Sequence, residues 1–332
     1  MNVLVTGGTG FLGQHLALKL LQLGYTVSVM GRNKTIGCQL EEQGIRFIQA
    51  DLADATNVIE ACDGQVLVFH CGALSAPWGR KQDFYNTNVL GTRNVIQGCQ
   101  KFGINRLVHV SSPSIYFDRQ DRFNIDEDSP LPLKPINDYA RTKQLAEVEI
   151  DHAFQKGLPV ITIRPRAIFG PGDQTILPRL ILANQRLGIP FINQGQALID
   201  VTYVENVVDA LLCCIDSPEN TLGKKYNISN GTPITLIALM ENLFQKLGQK
   251  LRPIPVSYTV AYGLATLLEV FSKTLLFGQE PLFTRYGIGV LAKSQTLNIN
   301  RACEELGYYP RISIDEGLQH FAGWWRQQAY VH

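Results

Sequence analysis

The sequence has no low-complexity tract, no internal repeat and no block of like charge. Solenoid arrays, disordered tails and charged interaction arms are therefore excluded as organising features. Thirty basic against 29 acidic residues leave a formal charge of +1, so neither nucleic acid nor a strongly acidic partner is expected. Cysteine is sparse and irregular. Its seven positions (38, 62, 71, 99, 213, 214 and 303) show no metal-ligand spacing, so reduced thiols and no metal site are expected. The adjacent Cys213 and Cys214 lie in an apolar helical run and read as packing. The chain enters a strand pattern at once, which leaves no room for a signal peptide and suits a cytoplasmic protein.

What is there is an ordinary globular composition, 45% hydrophobic and 18% charged over 332 residues. That length suits one large and one small domain. The stretch that organises the rest is Val3-Leu-Val-Thr-Gly-Gly-Thr-Gly-Phe-Leu-Gly13. A short β-rich run ends in glycines and passes into a helix whose leucines recur at 12, 16, 20 and 23, with Gly24 closing it. Gly7, Gly10 and Gly13 suit a tight turn, close approach of backbone to a pyrophosphate, and close helix–strand packing. The anion would sit at the helix N-terminus.

Further strands are expected at 25–30, 45–50, 66–70, 106–110 and 160–163, and helices at 175–188 and 204–212. Strand two ends at Gly31-Arg32-Asn33-Lys34 without the acid that would hold a ribose 2′-hydroxyl. Arg32 suits a 2′-phosphate, or else marks a solvated basic turn, so NADP(H) is expected in preference to NAD(H), with NAD(H) still admissible. A polar, Pro-containing loop is expected from 117 to 137. Beyond it, Tyr139 and Lys143 stand at i and i+4 on one helix face. A nearby ammonium would favour the phenolate of a group that otherwise titrates near pH 10; the bland alternative is two surface residues.

The Thr6–Gly13 motif, with its Gly-x-x-Gly-x-x-Gly spacing, resembles the extended short-chain dehydrogenase/reductase family. So do Phe84–Ile96, Ser111–Tyr116 and Asp138–Lys143. The resemblance implies an α/β, Rossmann-type doubly wound parallel sheet with a smaller C-terminal α/β substrate domain. The dinucleotide-binding domain would cover 1–174, with 197–228 returning to it; the substrate domain would cover 175–196 and 229–332. It implies Ser112, Tyr139 and Lys143 as the catalytic set. Ser112 would orient the substrate oxygen, Tyr139 would move the proton, and Lys143 would tune Tyr139 and hold the nicotinamide ribose. Cofactor contacts are implied for Gly7, Gly10, Phe11, Leu12, Gly13, Arg32, Asp51, Leu52, Cys71, Gly72, Asn88 and Pro165, besides Tyr139 and Lys143. Asp51 could equally be a cap or turn residue. His70 departs from the family pattern and reads as structural.

Leu198–Asp209, Tyr226–Gly231, Ala76–Gly79 and Arg164–Asp173 resemble the 3β-hydroxysteroid dehydrogenase branch, including bacterial 2-alkyl-3-oxoalkanoate reductase-like members. The resemblance implies a ketone–alcohol oxidoreductase for a bulky apolar small molecule, steroid-like or long-chain 3-oxo. A homodimer is expected. Nucleotide-sugar epimerases and dehydratases share this residue set. Pro113-Ser114 stand where dehydratases carry an acidic pair, and Arg32 counts against a tightly held NAD. A non-catalytic cofactor sensor is the third alternative, although such proteins tend to lose the Tyr/Lys pair. The apolar stretch 255–278 is too short to span a bilayer. It suits either a buried helix pair or an apolar lid touching a membrane surface, with Leu267, Val270, Phe271 and Leu275 facing substrate or lipid.

Overall fold

Val3, Leu4 and Val5 are all fully buried, and a strand buried on both faces must be covered on both sides. That condition shapes the computed structural model, which describes residues 1–275, 279–281 and 283–329. Its main sheet contains β1 (Asn2–Thr6), β2 (Thr26–Gly31), β3 (Arg46–Gln49), β4 (Leu67–His70), β5 (Arg106–Val110), β6 (Val160–Pro165) and β7 (Lys225–Ile228). The spatial order is β7-β6-β5-β4-β1-β2-β3, and every pairing is parallel. Val3 and Val5 join one core layer with Leu16, Leu20 and Val207. Leu4 joins the other with Val58, Val95 and Ile150.

Helix α1 (Phe11–Gln22) buries Leu12, Leu16 and Leu20 as their spacing requires. Leu23 departs from that expectation at 53% exposed. It is the C-cap, where the chain leaves helical geometry, and Gly24 follows at φ +85°. Helix α2 (Lys34–Glu41), beside β3, lies on the α1 face, where Leu40 joins the same layer. On the other face lie α3 (Ala55–Ala61), α4 (Gly91–Lys101) and α5 (Asp138–Gln155). The Phe84–Ile96 segment does not form one even helix. One short helix, Lys81–Tyr85, runs through a π-turn at Asn86–Leu90 into α4. Such turns shift the facing of the residues they contain and recur at functional sites.

The loop expected from 117 to 137 also needs correction, because Arg122–Ile125 is a strand. It pairs with Gln295–Leu297 in a four-stranded sheet completed by Leu198–Ile199 and Ile234–Thr235. Helix α6 (Val204–Cys213) packs on α1. Helices α7 (Tyr258–Leu275) and α8 (Arg285–Ala292) pack on each other over the mouth of the sheet. One row across the main sheet is polar: Thr6, His70, His109 and Thr162 stand opposite one another on β1, β4, β5 and β6. All four are buried.

Candidate active site

The site lies at the carboxyl ends of the strands, where open α/β sheets bind ligands. Gly7 has φ +67°, and a Cβ there would lie 2.5 Å from Gly72 Cα; a Cβ on Gly13 would lie 2.2 Å from Gly7 O. Glycine is thus obligatory at both. Gly10 caps α1 with no side-chain hydrogen bond, so the first N–H groups of Phe11, Leu12 and Gly13 point into the turn. That cradle fits a pyrophosphate. Phe11 stacks edge-on against His15, which bonds the carbonyl of Pro171 at 2.8 Å and ties the turn to the segment after β6. Arg32 stands exposed after β2, its guanidinium 3.5 Å from the Asp51 carboxylate. Asp51 also accepts from the Ala53 N–H at 2.9 Å, as a turn residue would. Leu52 and Gly72 touch behind the glycine turn, and Pro165 ends β6 beside Ile228.

The π-turn delivers Asn88. Its Oδ1 accepts from Leu74 N–H at 2.7 Å, and its Nδ2 donates to Leu74 O at 3.2 Å and to Thr142 Oγ1 at 3.0 Å. The cofactor-side loop after β4 is thereby fastened to α5. His70 is structural, as expected. Thr92 Oγ1 gives its hydrogen to Asn88 O at 2.7 Å, so it accepts from His70 Nε2 at 3.0 Å. That leaves His70 Nδ1 to accept from Thr6 Oγ1 at 2.7 Å, with burial and then Lys143 pushing the ring down to about 3.

Asn137 caps α5 by accepting from Ala140 N–H at 2.8 Å, which starts the helix one residue before Tyr139. Tyr139 is half-buried and lines a cavity of about 190 Å³ with Pro77, Trp78, Phe84, Arg119 and Tyr286. Lys143, one turn along, is 2% exposed. Its Nζ donates to Val110 O at 2.7 Å and lies 3.4 Å from His109 Nε2. Burial pushes the Lys143 ammonium down to about 8, although Glu147 and Cys71 pull it up. Burial pushes the Cys71 thiol up to about 12, so that side chain stays a neutral wall. Ser112 Oγ accepts from Ser114 N–H at 3.2 Å and caps the short helix Pro113–Tyr116. The Ser114 hydroxyl, also buried here, has no hydrogen-bond partner among the described residues.

Sequence reading missed two neighbours. Arg164 clamps Glu147 of α5 through Nε at 2.9 Å and Nη2 at 2.5 Å. Arg166, two residues on and so on the same side of the chain, is 6% exposed. Its Nε has no partner among the described residues, and none of them forms an ion pair with it. Burial lowers its pKa, and the charges it senses are those of Tyr286 and Asp200. Tyr286 in turn lies close enough to Tyr139 to feel its charge.

Helix α7 buries Ala261 and Ala265, and Glu269 binds Arg285 Nε at 2.7 Å. Its other face leaves Val260, Leu264, Leu267, Val270 and Phe271 exposed; the Leu275 side chain and residues 276–278 lie outside the described residues. Among the described residues no helix is long and apolar enough to cross a membrane. No group of side chains there could hold a metal ion, and the seven cysteines are free.

A phenol one helical turn from a buried ammonium, with a glycine cradle at the carboxyl end of a parallel sheet, suits a dinucleotide-dependent oxidoreductase. Comparison with known proteins narrows the class. The chain belongs to the NAD-dependent epimerase/dehydratase family, whose model matches residues 3–229. It is 33% identical to 2-alkyl-3-oxoalkanoate reductase of Stenotrophomonas maltophilia, over 96% of this chain and 98% of that one. It is 32% identical to the decarboxylating sterol-4-alpha-carboxylate 3-dehydrogenase of Mus musculus, over 95% of this chain and 88% of that one. The solved UDP-glucose 4-epimerase of Thermotoga maritima superposes with a TM-score of 0.80 at 22% identity, covering 99% of this chain and 100% of that one. That last likeness concerns the fold.

Proposed function

We propose that this oxidoreductase interconverts a ketone and a secondary alcohol on a bulky apolar substrate, steroid-like or long-chain 3-oxo, that also carries a carboxylate. The observation that carries the reading is Tyr139 on the cavity wall with Lys143 buried one turn behind it. A bound nicotinamide would supply or take the hydride. Tyr139 moves the proton at the substrate oxygen, Ser112 orients that oxygen, and Lys143, one turn behind Tyr139, serves the phenol and the nicotinamide ribose. Gly7 to Gly13 hold the pyrophosphate. Arg32 supports NADP(H) over NAD(H), because it follows a strand without a terminal acid.

The carboxylate enters through Arg166. The Arg166 guanidinium feels the Asp200 charge but makes no direct ion pair among the described residues, and its buried Nε has no acceptor there; an incoming carboxylate would satisfy it, and the two named relatives act on carboxylate-bearing molecules by their names. In this reading 175–196 and 229–332 hold the substrate. The exposed apolar stripe of α7 supports contact with a membrane surface, from which a lipophilic substrate could be drawn. A homodimer remains part of the proposal, with Val148 an exposed apolar side chain on α5.

The test is oxidation of NADPH and NADH by the purified protein with a panel of long-chain 3-oxo acids, keto-steroids and nucleotide sugars. Turnover of the lipophilic ketones, faster with NADPH, is expected. The Tyr139→Phe variant should bind cofactor with unchanged Kd and lose activity by on the order of 10²- to 10⁴-fold, the usual share of acid–base catalysis. Reaction with nucleotide sugars alone, or a Tyr139→Phe variant of full activity, would overturn the assignment.

A further inference from the structure

We propose that His109 is a positioning residue for Lys143: its imidazole Nε2 accepts a hydrogen bond from the buried ammonium and keeps it aimed at the site. This rests on the assignment of Lys143 to phenol and cofactor made above, and adds what keeps a cation usable there.

Lysine is a donor only, with three N–H bonds. Val110 O takes one at 2.7 Å, and His109 Nε2, at 3.4 Å, is placed to take a second. The third is left for the phenol and ribose side of the site. Because Nε2 accepts, the ring hydrogen must be on Nδ1, which faces Thr162 Oγ1 at 3.5 Å. The network thus assigns one tautomer. The ring plane is fixed by His70, stacked at 5.7 Å between centroids and 28° between planes. His70 is itself held at both nitrogens by Thr6 and Thr92.

His109 is fully buried among cations. Lys143 from α5 lies nearest, with Lys225 of β7 and Arg164 of β6 further off and His70 of β4 beside it; burial and these charges push its pKa well below the ordinary value. Lys143 faces Glu147 on its own helix, Cys71 after β4, and His109 on β5. An imidazole whose pKa burial holds down stays a neutral acceptor at neutral pH. An apolar residue at 109 would remove an acceptor from a charge that burial already disfavours.

Two measurements test this without any substrate. In the wild-type protein labelled with 15N-histidine, His109 should show the neutral Nδ1–H tautomer at pH 7; an imidazolium or an Nε2–H ring would overturn the proposal. Cofactor affinity should fall as Lys143 loses its proton, and fluorescence titration of NADPH across pH 6–10 locates that midpoint. In His109→Phe, which keeps a stacking ring but no acceptor, the midpoint should move down by on the order of one pH unit. His109→Gln, which restores an acceptor, should return it close to wild type. His109→Leu serves in place of the Phe variant if that does not fold. Equal midpoints in all variants, with only Tm altered, would make His109 packing alone. Failure of every ketone in the panel would strike the functional reading and leave these two results standing.

Discussion

At the scale of single residues, the parts of the site legible in the sequence were those whose chemistry is local. Gly7 and Gly13 declare themselves because the tight turn and the helix start are made by neighbours in the chain. Tyr139 and Lys143 declare themselves because i and i+4 share a helix face. Arg166, His109 and Tyr286 could not be found that way, since their meaning depends on contacts made across the sheet and from α8. The Pro between Arg164 and Arg166 made the pair look alike, yet Arg164 is spent on Glu147 and Arg166 is not. For Arg166→Gln we expect KM for a 3-oxo acid to rise about 10- to 100-fold, while kcat and KM for the matching neutral ketone, and the Kd for cofactor, stay within a factor of two. A charge-assisted bond to a buried carboxylate is worth roughly 1.5–3 kcal/mol, which sets that range. Equal losses with acid and ketone would show that Arg166 only supports the fold.

At the scale of elements, six of the seven main-sheet strands were readable from short apolar runs and α1 from its leucine spacing; the edge strand Lys225–Ile228 was not. Arg122–Ile125 was not, because its partner Gln295–Leu297 is far along the chain and the segment between is polar and carries Pro. The π-turn before α4 was hidden for a related reason: an inserted residue changes phase without changing composition. Helix α7 was read with two outcomes open, and its structure is two-faced. Ala261 and Ala265 are core, whereas Leu267 at 68% and Phe271 at 49% exposure are surface. Replacing Leu267 and Phe271 together by Ser removes two exposed apolar anchors and no core contact. Binding to phosphatidylcholine vesicles in a flotation assay should fall several-fold and KM for long-chain ketones should rise, with Tm and cofactor binding nearly unchanged. A large drop in Tm with unaltered vesicle binding would return the helix to the core.

At the scale of the whole molecule, the two buried imidazoles make the fold sensitive to acid. His70 titrates at about 3 in the folded chain against 6.5 ordinarily, and His109 is also shifted down. Between those values the unfolded chain binds protons that the folded chain refuses, so stability is full above about pH 6.5 and falls as pH drops through the window. Each histidine contributes a slope approaching ~1.4 kcal/mol per pH unit. Urea melts at pH 7, 6, 5 and 4 should show a steeper decline for wild type than for the His70→Gln, His109→Gln double variant. Parallel declines would mean that other groups govern acid unfolding. The same row has a second consequence, for how the chain finds its alignment. A parallel strand that is apolar on both faces carries little to distinguish correct pairing from a slip of one residue. With Thr6, His70, His109 and Thr162 in one line, any slip would drive an imidazole into the leucine layer under α1 and strand its hydroxyl partners. The polar floor beneath the lysine thus doubles as a key against misthreading, selected once by chemistry and again by folding.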